Sequence, residues 1–134
     1  MNKLRTLILA LLMSGAAHAE EPLVEVESGY PFGETVARLR SWMQAADLTV
    51  FAEIDHAAGA EAAGMKMPPT TLLIYGNPKG GTPLMLEDPH AALDLPLRVL
   101  VREDGKGHVL VGYHPVSRLA AAQSLLERAI AKTH

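Results

Sequence analysis

The apolar positions of this chain change period from segment to segment, and each change marks a predicted element. Leu7 to Met13 is apolar without interruption, follows Lys3 and Arg5, and leads to the small-residue ending Ala17-His18-Ala19. That three-part layout predicts a secretory signal peptide over 1–19 with cleavage after Ala19, and its apolar run is too short to span a bilayer. From Leu23 to Glu27 apolar and charged residues alternate, as in a half-buried strand, and Gly29, Pro31 and Gly33 mark a turn. Val36, Leu39, Met43 and Ala46 then recur at helical spacing with Arg38, Arg40 and Gln44 on the other faces, which predicts an amphipathic helix from Glu34 that stops at Asp47.

Leu48 to Ile54 contains Thr49, Val50, Phe51 and Ile54, β-branched or aromatic residues that favour a strand, and it closes on Asp55-His56. The alanine-rich stretch from Ala57 to Ala63 suits two helical turns ended by Gly64 at the C′ position. Pro68-Pro69 forces an extended entry into Thr70 to Tyr75, a nearly all-apolar run typical of a central strand, which Asn77-Pro78 breaks. A short helix fits Gly81 to Glu87 before Pro89. Leu95 to Val101 and His108 to Tyr113 flank Asp104-Gly105-Lys106-Gly107, the clearest hairpin signal in the chain. The last helix is expected from Pro115 to Lys132, with Val116, Leu119, Leu126 and Ile130 on one face. This order predicts one α/β (α+β) domain over 20–134. Its architecture is a compact two-layer sandwich, in which one mixed sheet of about five strands packs against two main helices and some short ones.

Charge and composition narrow the function. Without Lys3 and Arg5 the chain keeps 10 basic against 15 acidic residues, a net charge of −5 with His neutral. Nucleic acid and anionic lipid both require a positive footprint that this balance does not supply. After the signal segment no run is long and apolar enough for membrane insertion, so the expected location is the periplasm. There is no cysteine, which excludes thiolate zinc sites, iron–sulfur clusters and c-type haem attachment.

Polar, Pro, Gly and Met residues collect at the ends of the two apolar strands, where a domain of this kind places a site. Asp55 and His56 are the first candidates, because imidazole titrates near neutral pH and is a common metal ligand. Asn77 and Lys79 are the next, in a glycine-containing loop that lacks the Lys-Thr step of a phosphate cradle. If the strands before His56 and Asn77 are parallel, the two residues converge on one sheet edge; if antiparallel, they lie at opposite ends. Equally, Asp55 suits a helix cap. Met65, Met67 and His56 offer thioether and imidazole donors that suit copper(I) or non-covalent haem. No serine stands in a nucleophile elbow, and adjacent Asp and His side chains diverge, so neither supports hydrolase chemistry.

Val50-Phe51-Ala52-Glu53-Ile54-Asp55-His56, Pro68-Pro69-Thr70, Gly76-Asn77-Pro78-Lys79, Gly81-Thr82 with Leu84-Met85, and Leu95-Pro96-Leu97 occur in this order and spacing. Together they resemble the block of domain-of-unknown-function family 302, from about Leu48 to Tyr113. The resemblance implies a two-layer α/β domain, often self-associating into a homodimer, with no established reaction or cofactor. Three readings stand open: a ligand-binding or accessory module, an enzyme with His56 as acid or base on a small substrate, and a dimeric scaffold without a small ligand.

Overall fold

The computed structural model describes residues 22–115, 128 and 130–132. Within them the chain runs β1 (Val24–Ser28), α1 (Phe32–Ala45), β2 (Thr49–Asp55), α2 (His56–Ala62), β3 (Thr70–Gly76), α3 (Pro78–Glu87), a 3₁₀ turn (Pro89–Leu93), β4 (Leu97–Glu103) and β5 (Val109–Tyr113). The strands form one sheet in the order β1-β5-β4-β3-β2. Five strands and a two-layer α+β build agree with the sequence; the mixed sheet does not, since every neighbouring pair is antiparallel. The cause lies in the β2–β3 connection. Its helix, α2, has seven residues and is about 10 Å long, too short to carry the chain back as a packed crossover along a strand of roughly twice that length.

Two helix starts also differ from expectation. The longest helix among the described residues begins at Phe32, two residues early, with Pro31 as its cap. Pro78 opens α3 instead of breaking the chain into a loop, because a proline at the first helical position gives up an N–H that has no helical partner in any case. Asp47, with φ of 56°, takes the left-handed turn after α1, and the Leu48 amide donates to the Met43 carbonyl at 2.8 Å. The predicted signal segment, and all of the predicted last helix except residues 115, 128 and 130–132, lie outside the described residues.

Alternation sorts the strands into two faces. Leu73, Tyr75, Val99, Val101, Val109, Val111 and Tyr113 point to α1, whose Val36, Leu39 and Met43 complete the core together with Ile130. At the buried start of α1 the Ser28 and Thr35 hydroxyls satisfy each other at 2.7 Å. The opposite face is read from the register. One row runs Ile54–Leu72–Leu100–Gly112–Glu25 across all five strands, flanked by Thr70–Arg102–Leu110–Glu27 on one side and Ala52–Ile74–Arg98 on the other. A bulge between Val50 and Ala52 interrupts the β2 edge at Phe51.

Candidate functional site

The β2–β3 connection builds a concavity in the region that the sequence predicted. Asp55 ends β2 and caps α2, its Oδ1 accepting from the Ala58 amide at 2.9 Å. Gly64, at φ 75°, closes the helix: its amide donates to the Glu61 carbonyl, and the Met65 amide donates to the Ala60 carbonyl at 2.8 Å. This double closure is a Schellman motif, which requires a left-handed residue at the glycine position. It turns Met65 and Met67 outward along an extended run that ends at Pro68-Pro69. Met65 is 62% exposed and Met67 40% exposed, high values for methionines.

Between α2, this run and the start of α1 lies an open groove of about 740 Å³ lined by Phe32, Asp55, Ala57, Met65, Met67 and Pro69, with Glu61 and Lys66 contributing one charge of each sign. Three of the predicted candidates, Asp55, Met65 and Met67, therefore share one surface. His56 is the first residue of α2 and is exposed; its neighbours Asp55 and Ala57 line the groove but it does not.

Asn77 and Lys79 are not part of this site. With β2 and β3 antiparallel, Asp55 pairs with Thr71 while Gly76 pairs with Thr49. Asn77 is consequently at the other end of a strand roughly 20 Å long. There Asn77 caps α3, accepting from the Lys79 amide at 2.9 Å, and its side-chain amide donates to the Asp47 carbonyl at 3.4 Å. The convergence of His56 and Asn77 required parallel strands and does not occur. Among the described residues no group of three or more His, Asp or Glu side chains is placed to hold a metal.

Two electrostatic features were not legible as sites. The Asp104 carboxylate accepts from the Lys106 and His108 amides and meets His108 Nδ1 at 2.8 Å. The hydrogen bond from His108 is the main cause that lowers the Asp104 pKa to about 2, and the same bond raises that of His108. The pair locks the β4–β5 hairpin; an Asp four residues before a His across a Gly-containing turn was its only sequence signal. The Tyr75 hydroxyl is buried in the core without a hydrogen-bond partner, and burial pushes its ionisation well above the usual phenol range.

Sheet, helix layer and groove define a small two-layer α+β domain with a surface cleft. The chain belongs to the family described as "Domain of unknown function DUF302", which it matches over residues 24–133. Its fold is similar to that in the crystal structure of an uncharacterized conserved DUF302 protein from Bacillus stearothermophilus. The TM-score is 0.76 at 16% identity, covering 84% of this chain and 98% of that one. Two longer curated proteins are also similar. One is named fluoride-specific ion channel FluC 1 of Brucella suis biovar 1 (strain 1330), 41% identical over 110 residues, 82% of this chain and 43% of that protein. The other, named FluC 1 of Brucella abortus biovar 1 (strain 9-941), is 41% identical with 41% of its length covered. The chain thus spans less than half the length of these relatives. Among the described residues no helix is long and apolar enough to cross a membrane.

Proposed function

We propose that this chain is an exported ligand-binding or accessory module, and that its ligand seat is the groove beside α2. One observation carries the reading: two solvent-exposed thioethers, Met65 and Met67, share an open groove with the Phe32 ring and the Asp55 carboxylate. Exposed apolar side chains gathered in a concave surface mark a binding site more often than isolated ones do. Thioethers are soft donors that suit copper(I) or non-covalent haem, and His56 at the start of α2 is the imidazole next in sequence to the groove residues Asp55 and Ala57. The signal-like 1–19 supports a periplasmic location. The channel name belongs to proteins about twice as long; a similar segment within such polypeptides is in keeping with an accessory role.

The test is native mass spectrometry with elemental analysis on protein exported to a bacterial periplasm and purified without chelators, before and after exposure to copper(I) or haem. The expected result is a bound metal or molecule in the wild type that is lost in Met65→Ala/Met67→Ala and weakened in His56→Ala. A wild type that stays at its bare mass under all conditions overturns the proposal.

A further inference from the structure

We propose that Met65 and Met67 form an oxidant-responsive modification site, at which a hydroperoxide converts both thioethers to sulfoxides in the folded protein and methionine sulfoxide reductases return them. Exposure separates these sulfurs from those of the other described methionines. Met65 is 62% and Met67 40% exposed, whereas Met43 is fully buried between α1 and the sheet and Met85 on α3 is half-buried. Methionine ordinarily fills gaps in a core, and Met43 is used in that way.

The backbone holds the exposed pair out. Gly64 ends α2, the Met65 amide is fixed to the Ala60 carbonyl at 2.8 Å, and Pro68-Pro69 stiffens the far end of the run. Both sulfur-bearing side chains line the open groove, whose volume of about 740 Å³ accepts hydrogen peroxide together with water. The chain has no cysteine, so no thiol competes as the first target.

The chemistry needs that access. A sulfur lone pair attacks one peroxide oxygen, and the S–O bond forms as the O–O bond breaks. The departing hydroxide takes up the proton of the transferred oxygen and leaves as water, so sulfur loses two electrons and the peroxide gains them. Charge separates along this path, and water has to solvate the leaving hydroxide; Met43, with no solvent contact, has neither the oxidant nor the water beside it. In the return step a reductase dithiol becomes a disulfide and the sulfoxide oxygen leaves as water. Sulfoxides at both positions turn the apolar wall next to Phe32 polar. This holds whatever the groove binds, so the inference stands apart from the ligand proposed above.

The test treats the folded protein with hydrogen peroxide in the presence of a metal chelator and follows oxygen gain at each methionine by peptide mass mapping. Met65 should oxidise first, Met67 next and Met85 behind them, with Met43 at least about a hundredfold slower than Met65 because the core must open before it reacts. In urea above the unfolding transition these rates should converge. A dithiol with both reductases, one for each sulfoxide epimer, should restore Met65 and Met67. The oxidised domain should keep its circular dichroism spectrum and elute earlier from a hydrophobic-interaction column, while Met65→Leu/Met67→Leu elutes unchanged after the same treatment. The inference is overturned if Met43 or Met85 keeps pace with Met65 in the folded protein, or if the reductases leave the two sulfoxides in place. Loss of the folded spectrum on oxidation, or an elution shift that is absent or persists in the double variant, overturns it equally.

Discussion

Arg102 on β4 reaches across β5 and clasps Glu25 on β1, with Nη2 2.9 Å from one carboxylate oxygen and Nε 3.1 Å from the other. The two side chains meet over Gly112. A Cβ there would lie 3.7 Å from Glu25 Oε2 and 3.6 Å from Leu23 Cδ1, in ordinary contact with the bridge. The clasp holds the edge strand β1, whose only neighbour in the sheet is β5.

Removing the clasp should loosen β1. Arg102→Ala or Glu25→Ala is expected to cost about 1 kcal/mol, the upper range for a partly exposed but bidentate pair. Urea denaturation measures the loss, and amide exchange should locate it in Val24–Ser28 before any other strand.

The core should respond in two opposite ways. Leu39→Ala removes a side chain that is 1% exposed and is expected to cost about 2–5 kcal/mol through lost burial and a residual cavity. Tyr75→Phe removes a buried hydroxyl with no partner and should leave stability unchanged or raise it by about 1 kcal/mol. Thermal unfolding of both variants beside the wild type checks the contrast.

Hairpin stability should have a pH window. The Asp104 pKa is lowered to about 2, so its stabilising interactions are present above the ordinary carboxylate pKa of 3.8 and disappear as pH falls toward 2. His108 has a raised pKa, because of Asp104 first and Glu27 after it, so its contribution is complete below the ordinary 6.5 and is lost as pH rises through the raised value. The lock is strongest between these two losses. Titration of the His108 ring by NMR should give a pKa above 6.5 that returns toward 6.5 in Asp104→Asn.

At the groove wall, Asp55→Ala should cost about 0.5–2 kcal/mol by freeing the Ala58 amide, and Asp55→Asn about nothing, since both side chains cap helices well. Gly64→Ala, at φ 75°, should cost about 1–2 kcal/mol by placing a Cβ in left-handed backbone. Hydrogen exchange across α2 reads both effects, and faster exchange there should accompany a changed exposure of Met65.

What the sequence disclosed was what short-range chemistry decides. Gly64 after an alanine-rich stretch announced the end of α2. Asp104-Gly105-Lys106-Gly107 announced its hairpin, and the alternation in β1 announced a half-buried strand. Strand direction was not legible, because the apolar run of β3 reads the same whichever way its neighbour points. That single ambiguity decided the site: it separated Asn77 and Lys79 from Asp55 and kept Met65 and Met67 beside it. The open sheet face was also hidden, since Leu72 and Ile74 look like core residues until the register shows which side α1 covers.

The strand order has a consequence for how the chain comes to be folded. β2, β3 and β4 each pair with the next strand along the sequence, so three of the four ladders close over local connections. Only β1 pairs far away, Val24 with Tyr113. A polypeptide made from its amino terminus therefore releases its first strand long before that strand has anywhere to go. Closure of β1 onto β5 carries the largest loop entropy of any pairing and belongs late in folding. Until it closes, β5 is a bare edge to which any other extended chain can add, and in that interval the newborn domain is most open to strand exchange.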